Sequence, residues 1–204
     1  NDEVDLESVD LNELERIQRD PALSKELVRM GDPATWYLFF RTKKPPFDDI
    51  RVREAFTRSI NREAIARVLL RGAAIPAYSM LPPGFEDYDG PTYKKFQGFD
   101  PQRAKQLMRE AGFPKGRGFP RQELWLRAPG PIYRNVAIAI QGMLKEHLGV
   151  DISIRVSDDS AYMSALFDWQ MNIGLLNFGA DFMDPRNMLD MTWRSQPRGA
   201  GRQD

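Results

Sequence analysis

Up to about Thr35 the chain is polar and charged, and its apolar residues Leu11, Leu14, Ile17, Leu23 and Leu27 recur roughly one helical turn apart. This spacing predicts a connecting segment, residues 1–31, carrying one or two helices broken near Pro21. The period then changes. "TWYLFFRT" puts apolar or aromatic side chains on both faces, which predicts a central strand covered on both sides. The prolines of "KKPPFDD" end it, because they cannot continue a ladder. Asp49 is placed to cap a helix with Ile50, Phe56 and Ile60 at helical spacing, and Asn61 to cap a second, "REAIARVLL", which Gly72 stops. The stretch "AAIPAYSMLPPGFEDYDGPTYKKFQGF" is rich in proline, glycine and aromatics and reads as one long meandering loop. Asp100, Pro101 and Gly112 bracket another helix, with Leu107, Met108 and Ala111 facing inward.

The last third alternates elements. "ELWLRA" predicts a strand and "IYRNVAIAIQGMLKEHLG" a helix burying Ile132, Val136, Ile140, Met143 and Leu144. "VDISIRVS" predicts a second strand with Ile152, Ile154 and Val156 on one face. Strand, long helix and strand in that order imply a right-handed parallel crossover. "SAYMSALFD" follows as a short helix, "MNIGLLNFG" as a largely buried strand, and "DPRNMLDMTW" as a helix capped by Asp184 with Pro185 just inside. Residues 194–204, "RSQPRGAGRQD", have nothing to bury and read as a disordered tail or an artificial end.

Composition narrows the partners. With 204 residues, 42% hydrophobic and 28% charged, the chain can bury a core and form one domain, or one with a small appendage. Basic and acidic residues both number 29, so no net field draws nucleic acid or an anionic membrane surface. The absence of cysteine excludes a disulfide framework, thiol catalysis and thiolate-bound zinc. No apolar run approaches the roughly 18 to 20 residues that cross a bilayer.

The inventory for catalysis is thin. His147, the single histidine, sits at the polar end of an amphipathic helix and reads as a solvated terminal residue favoured by the dipole. No G-x-S-x-G elbow presents a serine nucleophile. Histidine and cysteine are too few for a metal site, and no acidic loop has calcium-hand spacing, so neither metal nor cofactor is expected. "GRG" is a basic turn with no strand before it and no helix after it. Asp158 and Asp159 read as the start of a helix.

Asp181 is different. A carboxylate directly after a buried strand is costly without a partner. It also lies at the strand's carboxyl end, where open α/β sheets bind ligands. Phe178 stands three residues earlier, at the mouth of the same strand; an aromatic wall beside a lone carboxylate suits an amine joined to something apolar. Backbone groups around Asn177 and Gly179 are available for hydrogen bonds there. Trp36, Phe39 and Phe40 read as core. Tyr162, at helical spacing with Ala165 and Leu166, fits either the core or the site.

Four ordered pieces carry a resemblance: "KKPPFDDIRVREAFTRSINREAIARVLLRGAAIPAYSMLPPG", "GFDPQRAKQLMREAGF", the run ending "HLGVDISIRV", and "GADFMDP". Together they resemble the carboxy-terminal lobe of family 5 extracytoplasmic solute-binding proteins, the oligopeptide and dipeptide receptors of ABC importers. The resemblance runs from about Asp32 to about Trp193. It implies an α/β lobe of the type II periplasmic-binding-protein kind over residues 32–193, with a mixed central sheet flanked by helices. It further implies a first lobe outside this chain and a periplasmic or extracytoplasmic location, with a lipoprotein anchor as one form. In peptide receptors of the family the aspartate matching Asp181 binds the peptide α-amino group, and the position of Phe178 is commonly tryptophan. Other members bind nickel complexes, sugars or opines. The implied partners are a peptide or other small solute, the first lobe and an ABC permease, with no nucleic acid. A ligand-sensing regulatory module on the same lobe is the alternative, and an enzyme the weaker third reading.

Overall fold

The computed structural model describes residues 7–28, 30–127 and 130–193, with side chains up to Asp190. Helices α1 (Leu11–Arg19) and α2 (Leu23–Glu26) come first and contain no buried residue. Asp20 separates them by accepting the backbone N–H groups of Ala22 and Leu23, which turns the chain at Pro21. The expected tail, 194–204, lies outside the described residues.

Four strands form one sheet: β1 (Ala34–Phe40), β2 (Gln122–Arg127), β3 (Ile152–Ser157) and β4 (Ile173–Gly179). Their order is β1-β4-β2-β3. β1 runs antiparallel to β4, while β4, β2 and β3 are mutually parallel, so the sheet is mixed. The expected parallel crossover between β2 and β3 is made by α7 (Pro131–Leu148).

Helices occupy both faces. α3 (Ile50–Ser59), α6 (Pro101–Glu110) and α7 pack on one, burying Val52, Phe56, Leu107, Met108, Ile140 and Leu144 against Leu124, Leu126, Ile173 and Leu175. On the other face α8 (Asp159–Phe167) packs Tyr162, Ala165 and Leu166 with Trp125 and Met171. Period-two alternation assigns the strands' residues: Leu38 and Phe40 join the first cluster, Phe39 the second.

The helix starts follow from local chemistry. Asp49, Asn61, Asp100 and Asp158 each accept a backbone N–H two or three residues on, from Arg51, Ala64, Arg103 and Ala161. Such caps contribute about 1 kcal/mol each. At the far end of α7, Gly149 adopts φ 71°, and an added Cβ would lie 2.4 Å from the carbonyl oxygen of Lys115. Only glycine permits that backbone approach.

Some expectations need correction. Among the described residues β1 lies at the edge of the sheet; its continuous apolar run reflects the covering of its faces and says nothing of its ladder neighbours. The expected loop contains helix α5 (Gly90–Gln97), in which Pro91 occupies the first turn, where proline is tolerated. Asn61 opens α4 (Arg62–Ala64), which widens at once into a π-type turn over Ile65–Leu69. Ile132 is 38% exposed, since the first turn of α7 projects beyond the sheet it covers. Trp36, expected in the core, is equally exposed near the start of β1.

Candidate functional site at the carboxyl edge of the sheet

β4 ends at Gly179, opposite Ala34 of β1. The chain leaves the sheet held by one more bond, from the N–H of Ala180 to the carbonyl of Pro33 (2.9 Å). It then bends through Asp181, Phe182 and Met183 before α9 (Pro185–Trp193) begins. Asp184 caps α9 as expected, accepting the N–H of Arg186 at 2.8 Å. The bend is exposed: Asp181 faces solvent, and Phe182 and Met183 are each 56% accessible.

Asp181 has no cationic side chain at ion-pair distance among the described residues. Its partner is the amide of Asn187, one turn into α9. The N–H of Asp181 donates to Asn187 Oδ1 (3.0 Å), and Asn187 Nδ2 donates to Asp181 Oδ2 (3.3 Å). An open hollow lined by Phe182, Asp184, Arg186, Asn187 and Asp190 lies beside them.

The residues expected at the mouth of β4 separate onto two faces. Phe178 is half-buried and packs on a small cluster of Leu81, Phe85 and Met188. Thr35, opposite Phe178 in the ladder, secures that cluster by donating its hydroxyl to the carbonyl of Met80 (2.9 Å). Asn177 points to the other face, where its Oδ1 accepts the hydroxyl of Tyr133 at 2.7 Å. Gly179 is exposed at the strand's end. Tyr162 is not part of this edge. It has no exposed surface, and its hydroxyl donates to the carbonyl of Leu175 (3.2 Å), so it is a core residue satisfied by the backbone and not a ligand contact.

Two aromatic residues that the sequence reading did not place in the site stand here. Trp36, the ladder partner of Asn177, stacks on Tyr133 with ring centres 3.9 Å apart and planes 23° from parallel. Burial raises the Tyr133 phenol above its ordinary pKa and keeps it a donor. The available signal was position: Tyr133 lies in the first turn of a helix that follows a parallel strand, which puts it at the carboxyl edge.

A second charged corner lies on the same edge. Arg127, the last residue of β2, donates twice to Asp159 at the start of α8, at 2.9 and 2.8 Å. The hydrogen bonds to Arg127 hold the Asp159 carboxyl below its ordinary range, and those to Asp159 raise the guanidinium. The edge can therefore bind a cation and an apolar group at the end of β4. Among the described residues it assembles no nucleophile with a general base.

The family model for bacterial extracellular solute-binding proteins, family 5, matches residues 1–200. Among curated relatives, the oligopeptide-binding protein OppA of Bacillus subtilis is 29% identical over 76% of this chain and 29% of its own length. The dipeptide-binding protein of Escherichia coli is 28% identical over 87% of this chain and 32% of its own. The chain thus spans about a third of the length of these relatives, which are binding proteins and not enzymes. Among solved structures, the unliganded open form of the periplasmic murein tripeptide-binding protein MppA superposes with a TM-score of 0.76 at 24% identity, covering 91% of this chain and 36% of that one. That likeness supports the type II periplasmic-binding-protein fold.

Proposed function

Because this chain belongs to the bacterial extracellular solute-binding proteins of family 5, we propose that it forms one wall of the peptide-binding cleft of an ABC-importer receptor. Asp181 meets the ligand's α-ammonium in that cleft. The observation that carries this reading is the Asp181 carboxylate, exposed at the carboxyl edge of the sheet with an amide for company and no cation among the described residues. Ligands of open α/β sheets sit at that edge. The names of the Bacillus subtilis and Escherichia coli relatives supply the ligand class, oligopeptides or dipeptides.

In this reading residues 32–193 are the carboxy-terminal lobe and 1–31 the crossing from a first lobe. That first lobe, encoded outside these residues, closes on the ligand about a hinge, as periplasmic binding proteins do. The complete receptor works outside the cytoplasm and delivers its ligand to a permease. Desolvating Asp181 offsets much of its attraction for an ammonium, so its contribution is register and selectivity ahead of raw affinity. Phe178 and the Trp36–Tyr133 pair supply apolar walls on either side of the strand end.

Heme-binding protein A of Haemophilus influenzae is 27% identical over 87% of this chain, so similarity over this region does not by itself fix a peptide ligand. Calorimetry on the complete receptor tests the peptide reading. Short unblocked peptides should bind at least about tenfold more tightly than the same peptides N-acetylated. Equal affinity for both sets removes the amine, and with it Asp181, from recognition.

A further inference from the structure

We infer that Asn187 is the positioning residue for Asp181, fixing its carboxylate toward the solute without neutralising it; this rests on the reading of Asp181 given above.

Asn187 is 1% exposed, at the third position of α9 beside the fully buried Met188. A side-chain amide in such a place costs free energy unless its groups are bonded, and an apolar residue would pack there at less cost. Two of its bonds go to Asp181. A backbone N–H can only donate, so the group facing the Asp181 N–H must be the amide oxygen. That fixes the orientation of the amide and turns its NH2 toward Oδ2 of the Asp181 carboxylate. Backbone and side chain of one residue are thereby held by one buried group. The bend is otherwise held through its backbone, by the Ala180–Pro33 and Asp184–Phe182 hydrogen bonds, while the side chains of its next two residues are mostly exposed.

The chemistry of the partner matters as much as its geometry. An arginine at this place would also orient the carboxylate, as Arg127 does for Asp159, but would cancel its charge. A neutral amide engages one oxygen and leaves the full negative charge facing outward. The ligand class favoured is a primary or secondary ammonium on a peptide, not a neutral blocked terminus. A pre-oriented carboxylate loses less freedom on binding, which is where the gain in affinity arises.

The test uses the complete receptor and a pool of unblocked tetrapeptides with the same pool N-acetylated. Asn187→Ala should reduce the preference for the unblocked pool about tenfold, the loss of a hydrogen bond to a charged group, while affinity for the acetylated pool changes little. Asn187→Gln, which keeps both the acceptor and the donor of the amide, should recover part of it. A merely structural asparagine would weaken both pools equally, and that result overturns the inference while leaving Asp181 in place. If the wild-type receptor shows no preference, the reading of Asp181 fails first and takes this inference with it. Should Asn187→Ala not fold, wild-type receptor labelled with 15N-asparagine decides. The side-chain amide signal of Asn187 should shift on adding the unblocked pool and stay still with the acetylated one; no difference between pools refutes the positioning role.

Discussion

Two aspartates stand on the same edge of one sheet and differ in their company. Asp159, at the β2–α8 corner, is gripped by both donors of Arg127. Asp181, at the β4–α9 corner, shares hydrogen bonds with a buried amide. The first charge is already answered within the fold, and the pair closes that corner. The second is oriented and meets no cation among the described residues, which on the proposed reading leaves its attraction for the ligand. Under the proposed function, what distinguishes a binding carboxylate from a structural one is the partner's charge and not exposure, because both are accessible to solvent.

The largest expected effect tests whether the β2–α8 corner is structural. Tyr162, three residues beyond Asp159 and fully buried, should cost about 3 to 5 kcal/mol of stability when replaced by alanine, measured by denaturant unfolding. The folded fraction should keep its peptide affinity; a selective loss of binding would return Tyr162 to the site. Next comes the contrast itself. Asp181→Asn in the complete receptor should weaken unblocked peptides by about 2 to 3 kcal/mol, some thirty- to two-hundredfold. Asp159→Asn should change their affinity less than about threefold, and similar losses in both variants would erase the distinction between the corners.

Smaller effects sharpen it. Tyr133→Phe removes the bond to Asn177 and should lower stability by about 1 kcal/mol, read as a shift in the unfolding midpoint. A side-chain oxygen of Asn177 satisfied equally well by water would show no shift. Smallest is the pH dependence of the Arg127–Asp159 pair. Asp159 is held below its unfolded pKa of about 3.9, so the pair stabilises the fold above that value and the contribution is lost as pH falls through the lower, folded value. Most of that stabilisation is screened by solvent. Comparing unfolding at pH 6 and pH 3 in wild type and Arg127→Leu should show a slightly steeper decline in wild type; parallel curves would show the pair contributes nothing.

How much of this was legible in the sequence depends on how local the cause is. The caps at Asp49, Asn61, Asp100 and Asp184 could be read because a side chain and the backbone two or three residues on decide them. The position of Asp181 was legible for a related reason: a strand's end is marked by where its apolar run stops. The aromatic pair and the amide were not, because each depends on a partner brought near by the fold. Trp36 meets Tyr133 from a distant element, and Asn187 looks like one more polar residue on a helix until its burial is known. Tyr162 misled because a helical stripe of aromatic and apolar residues describes a core face and a cleft wall equally well. The helix at Gly90–Gln97 was missed through its proline content, although proline in a first turn starts helices as readily as it ends strands.

The pairing of β1 has a consequence for how the chain is made. Among the described residues its ladder neighbour is β4, the last of the four strands in chain order, so "ATWYLFF" must wait, sticky and unmatched, while β2 and β3 are already able to join. Contacts so far apart in the chain form late, and an apolar strand without its mate invites aggregation. The two lysines and two prolines that follow it, Lys43 to Pro46, act as guards against wrong pairing during that interval. A version stopped short of Ile173 would keep the guards yet never receive the mate, and should collect in the insoluble fraction.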